Sequence, residues 1–311
     1  MEISIMLAKE IAKLFLIMFM GYTIVRLGLV KSQDSKCISV VLVYLVIPCV
    51  ILNAFQVDFT PDIQKNLLFA FAAAIGIHIL FLLANIPLRG ALHLNAIEQA
   101  NIIYPNAGIL IFPLVQALQG QDYIIYSSAF MTVQLVLLWT HCKGMLCKTE
   151  KTDLKKILLN VNILSILIGL ILFLFHIRFP YGIQDILNKM SNMAGPLGML
   201  LAGMVIADVP LKSVFLTRRN YLPSALRLFV FPALALVLLK CFQLANLVPD
   251  SKAILLTVYL AAITPACATV TSMAQLYDKD AAYSSSLYVL TTLLSIITMP
   301  IMVGLFEAFI G

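Results

Sequence analysis

The sequence predicts an all-α polytopic membrane protein of ten transmembrane helices. They form two inverted five-helix repeats in which the fourth and ninth helices are broken and cross. Three observations predict it. Of 311 residues, 61% are hydrophobic and only 12% charged, whereas a water-soluble domain carries about 25% charged residues. Ten apolar stretches are each long enough to cross a hydrocarbon core ~30 Å thick, which takes roughly 20 helical residues. Prolines fall at corresponding places in the two halves of the chain.

The stretches run over approximately 5–29, 36–56, 66–88, 96–118, 122–142, 156–177, 182–207, 222–246, 252–276 and 281–309. The first is too long for a cleaved secretory leader and lacks a small-residue cleavage site, so it reads as a span. The connections are short and leave no room for a separate soluble domain. Orientation follows from basic residues. Loops after segments one, three, five, seven and nine, with their flanking turns, carry 14 of the 21 Lys and Arg. The other side carries Lys9, Lys13, Lys65, Arg178, Lys189, Lys240 and Lys252. The first side is therefore expected in the cytoplasm of a cell (plasma or inner) membrane, with both termini outside. The net charge of +6 then reports basic loops, not a nucleic-acid partner.

The basic linker at 143–155 divides the chain into a first five-helix repeat, 1–142, and a second, 156–311. An odd number of spans per half makes the second half enter from the opposite side, the inverted-repeat plan common in secondary transporters. Pro48 and Pro196 lie in segments two and seven, and Pro105 and Pro265 in segments four and nine. Each pair occupies counterpart spans.

Around Pro105 the chain reads Tyr104-Pro105-Asn106-Ala107-Gly108. Proline removes a donor and clashes with the preceding turn, while Asn and Gly tolerate non-helical dihedrals. An unwound stretch is expected there. Around Pro265 the chain reads Thr264-Pro265-Ala266-Cys267-Ala268-Thr269, whose small residues admit close backbone approach. Two half-helix N-termini meeting at similar depth carry partial positive charge and unpaired N–H groups, which suit an anion such as a carboxylate. The substrate-binding candidates are Pro105, Asn106, Ala107, Gly108, Pro265, Ala266 and Thr269. Asn53 and Gln134 are secondary candidates, each either interhelical hydrogen-bonding glue or a ligand contact. Arg227, at the cytoplasmic edge of segment eight, is explained by snorkelling, though it could attract anions at an entrance. His78 reads as a packed, hydrogen-bonded histidine.

All 15 Asp and Glu fall in loops or within a few turns of a segment end. A mid-membrane carboxylate for a proton relay or cation site is absent from the sequence, so an anion held by dipoles and amides fits better. The six cysteines are scattered without zinc spacing and read as buried structural thiols. Neither HExxH, GxSxG nor a P-loop occurs, so no enzyme, cofactor, metal or ATP-driven step is expected.

These residues resemble the auxin efflux carrier family, in a short bacterial-type form; the family includes plant auxin exporters and bacterial carboxylate permeases. The similarity rests on Tyr104-Pro105-Asn106-Ala107-Gly108 through Phe112-Pro113-Leu114 and Gly120, on Gln134 with Trp139-Thr140, and on Arg227-Leu228 with Pro232. Pro265, Ala274–Asp278 and Thr292–Pro300 carry the rest. The resemblance implies two inverted repeats like those of bile-acid and sodium/proton carriers, with crossing helices four and nine in a moving domain. Helices one, two, six and seven would form a scaffold and homodimer contact, and access would alternate by an elevator movement. The plant exporters' long cytoplasmic loop is missing, and His141 replaces the glycine usual after Trp139-Thr140. The expected function is secondary transport of a small organic anion, a mono- or dicarboxylate. Alternatives are sodium-coupled uptake of a larger amphipathic acid, and a non-transporting sensor or scaffold using the same pocket.

Overall fold

The computed structural model describes residues 2–58, 60–147, 159–244 and 247–310. Residues 148–155 of the basic linker, and 156–158 at the start of the sixth predicted segment, lie outside the described set. The described residues fold into helices: α1 (Glu2–Arg26), α2 (Ser32–Ala54), α3 (Pro61–Ala91), α4 (Ala96–Ile103), α5 (Ala107–Gln119), α6 (Gln121–Leu146) and α7 (Val161–Leu174). There follow α8 (Tyr181–Ala207), α9 (Leu211–Leu216), α10 (Arg218–Gln243), α11 (Ser251–Ala262), α12 (Ala268–Leu276) and α13 (Ala281–Ile310). By length and composition α2, α3, α6, α8, α10 and α13 can each cross a membrane. The protein is thus a multi-pass helical membrane protein.

Helix starts follow local chemistry. Thr60 accepts a hydrogen bond from the Ile63 N–H ahead of Pro61, and proline tolerates the first turn because its missing donor is an orphan there. Asn95 and Glu98 form a reciprocal capping box at the start of α4, which satisfies two exposed N–H groups.

Prolines shape the helix interiors. In α2 the turn widens over Leu42–Val46, before Pro48; in α10 it widens over Leu226–Val230, before Pro232. A proline presses on the carbonyl four residues back, here Tyr44 and Leu228, and the wider turn absorbs that displaced carbonyl. Pro196 falls instead in the first turn after an interruption at Met193. Both members of this proline pair therefore follow a local irregularity and neither bends a regular helix.

α8 packs on α1 and α2, and α2 on α7; α3, α6, α10 and α11 pack together, and α13 lies against α1, α4 and α12. Between α1 and α8 the backbones nearly touch. A Cβ at Gly203 would overlap the Met18 carbonyl, and one at Gly21 the Leu200 carbonyl. Glycine lets two helices approach this closely where no side chain fits. The thiol expectation needs correction: Cys142 and Cys267 are buried, but Cys37 and Cys241 are exposed. An apolar stretch has a lipid-facing side, and a small apolar thiol is tolerated there as well as inside.

Candidate functional site

The chain leaves helical geometry twice. α4 stops at Ile103 and α5 begins at Ala107; α11 stops at Ala262 and α12 begins at Ala268. The two gaps lie side by side. The Asn106 N–H donates to the Pro265 carbonyl at 2.7 Å, and the Cys267 N–H donates to the Tyr104 carbonyl at 3.1 Å. Pro105 and Ala266 thereby face each other as an isolated antiparallel bridge. Each proline lacks a donor, yet each strand of the bridge supplies one from the residue beside or beyond it. The remaining Ala266 N–H donates to Thr291 Oγ1 of α13 at 3.1 Å. The pairing matters because unsatisfied backbone groups at membrane depth cost several kcal/mol each.

The carbonyls are served by two side chains. Gln134 Nε2 on α6 donates to the Pro105 carbonyl at 2.7 Å, which ties α6 to the first break, while its Oε1 has no partner. Arg227 is the larger correction. It is fully buried among backbone carbonyls and so does not snorkel. Its Nε donates to the Thr264 carbonyl at 3.0 Å, Nη1 to the Ile102 carbonyl at 3.1 Å, and Nη2 to Thr264 at 2.8 Å and also to Ala262. α10 begins at Arg218, four residues before the predicted segment, which carries Arg227 inward. Its guanidinium carbon lies 5.7 Å from the Phe81 ring centroid, within cation–π range.

The electrostatics follow. Ile102 and Ala262 are at the C-terminal ends of α4 and α11, where helix dipoles place partial negative charge. One planar guanidinium with five donors neutralises both ends at once. Arginine stays protonated in proteins, and no described carboxylate forms an ion pair with it. A guanidinium balanced by helix-end carbonyls, with no carboxylate partner among the described residues, thus sits at the two breaks that precede α5 and α12.

The sequence-predicted residues divide. Pro105, Asn106, Ala107, Pro265 and Ala266 are buried together at the paired breaks, while Gly108 is partly exposed and Thr269 exposed. The Asn106 amide makes no hydrogen bond to the helix it precedes. Asn53 is elsewhere: it pairs with Asn188 at 2.9 Å and Gln184 at 2.8 Å, joining α2 to α8. His78 Nδ1 bonds the Ala74 carbonyl at 2.8 Å and its ring lies 4.5 Å from that of Phe130, as a packed histidine should. His141 bonds the Tyr104 hydroxyl at 2.9 Å, which gives the residue at the usual glycine position a contact with the first break. Thr291 was missed, since nothing local distinguishes a threonine that meets a backbone N–H 25 residues away.

The helices long and apolar enough to cross a bilayer make this an integral membrane protein, and the family match makes it a transporter. The chain belongs to the membrane transport protein family, whose family model matches residues 6–152 and 141–303. This is the auxin-efflux-carrier-like family that the motifs resemble, and it is a transporter family, not an enzymatic one. No curated protein matches the chain.

Proposed function

We propose that this protein is a secondary transporter of a small organic anion, a mono- or dicarboxylate, bound where the two broken helices cross. The observation that carries the reading is Arg227: a buried positive charge without a carboxylate partner among the described residues, set into the carbonyl ends of α4 and α11. An anion beside α5 and α12 gains from that charge and from two helix N-termini. Asn106 is the direct ligand in this reading, because its amide caps nothing on α5. Pro105, Ala107, Gly108, Pro265, Ala266 and Thr269 shape the site around it.

In this reading the helices form ten spans in two inverted five-helix repeats, within a cell membrane and with both termini outside. α1, α2, α7 and α8 act as the scaffold and homodimer contact, and the crossing moves past them as an elevator. The packing of α8 on α1 and α2, and of α2 on α7, supports this grouping, and α1 and α8 meet α5 and α13 across its boundary. Carriage is sodium-independent. Unwound carbonyls and half-helix C-terminal ends are the groups that hold a coupling cation in such carriers, and here Arg227 already engages three of them.

The test is uptake of radiolabelled succinate, malate and lactate into proteoliposomes, with and without sodium. Asn106→Ala should abolish uptake while the protein still purifies as a monodisperse species. Uptake by Asn106→Ala at the wild-type rate rejects the site; strict sodium dependence rejects the role given to Arg227.

A further inference from the structure

A cavity of about 480 Å³ opens between the C-terminal end of α2 with the start of α8 and the N-terminal ends of α3, α6 and α11. The residues of the helix crossing do not line it. Its size falls in the range of small-molecule sites, which run from about 300 to 1,000 Å³. Its chemistry is opposite to that of the crossing. Four aspartates line it against one arginine, Arg178. Asp58 is taken, because Arg178 pairs with it and also donates to the Gln56 carbonyl. Asp62, Asp122 and Asp250 have no ion-pair partner among the described residues.

Acidic residues at a rim are ordinary, but the wall of this cavity is not. Asn66 is 5% exposed; its Nδ2 reaches the Tyr126 hydroxyl at 3.5 Å, and its Oδ1 has no partner. Gln56, 8% exposed, accepts from the Phe179 N–H and leaves its own Nε2 without an acceptor. A buried amide oxygen left unpaired costs about 1–3 kcal/mol, which a donor-bearing ligand would recover. An anion is repelled by three uncompensated carboxylates. A bare metal ion fits poorly, since among the described residues no three acidic, histidine or cysteine groups are close enough to hold one. A flexible cation with several N–H donors satisfies the carboxylates and the Asn66 Oδ1, and leaves the Gln56 Nε2 donor as it is.

We propose that this cavity is a binding site for a small primary-amine cation of the diamine class, with one ammonium at Asn66 and the other among Asp62, Asp122 and Asp250. The site is independent of the anion reading and stands or falls separately. Putrescine is the probe, titrated against the purified full chain in detergent at constant ionic strength while thermal unfolding is followed. The expected result is a saturable rise in melting temperature that magnesium chloride and succinate do not reproduce. Asp62→Asn/Asp250→Asn, which alters exposed rim groups, should weaken putrescine at least tenfold, and Asn66→Leu should remove the response. If Asn66→Leu does not fold, the rim variant decides alone. No saturable shift, an equal shift with magnesium, or undiminished affinity in the rim variant each overturns the proposal.

Discussion

Replacing Arg227 by methionine removes the guanidinium but keeps an unbranched apolar side chain in its place. Three carbonyls, those of Ile102, Ala262 and Thr264, then lose their side-chain donor in the protein interior. Each unsatisfied group costs about 1–3 kcal/mol. The loss is offset because a buried charge no longer has to be desolvated, a penalty of several kcal/mol per ion. The balance is a destabilisation of about 2–4 kcal/mol. For domains of 150–250 residues 1 kcal/mol moves the melting point by about 2–4 °C, so a fall on the order of 4–16 °C is expected. Arg227→Lys should recover only part of it, since an ammonium is a point charge that cannot reproduce the planar fork. The assay is thermal unfolding in detergent, with millimolar guanidinium added to Arg227→Ala to refill the vacated position. A melting point within 1 °C of wild type for Arg227→Met would refute the claim that this side chain holds the two breaks together.

Further outcomes follow from the same contacts. Gln134→Leu leaves the Pro105 carbonyl without its side-chain donor and should cost about 1–3 kcal/mol, read as a lower melting temperature. Gly203→Ala forces a Cβ into the Met18 carbonyl; the resulting separation of α1 and α8 should cost about 1–3 kcal/mol by overpacking, and retention of full thermal stability would contradict the close approach. Glu98 is fully buried and accepts from Arg219, the Tyr283 hydroxyl and the Asn95 N–H. Glu98→Gln should therefore lower stability by about 1–3 kcal/mol, read as a lower melting temperature.

What the sequence disclosed was local chemistry. Pro105 with Asn106 and Gly108, and Pro265 among small residues, announce backbone breaks because the cause of each break is in the same few residues. The membrane class was equally legible, since apolar length needs no tertiary information. Arg227 was not. One arginine near the end of an apolar stretch is usually explained by snorkelling, and its true partners lie 35 to 125 residues away. Asn53 shows the same limit: its amide partners on α8 are 131 and 135 residues distant. The acidic cavity went unread for a related reason. Asp62, Asp122 and Asp250 are each unremarkable at a helix end, and only folding brings three ends together.

The central claim is that the crossing binds a carboxylate through Asn106 beside the charge of Arg227. Thermal stabilisation by a series of mono- and dicarboxylates tests it most directly. A ligand at 100 times its dissociation constant stabilises by about 2.7 kcal/mol. The account predicts such a shift for at least one carboxylate on the wild-type protein, unchanged when sodium replaces potassium and absent in Asn106→Ala. A carboxylate that stabilises Asn106→Ala as strongly as wild type, or a series in which none binds, would contradict it.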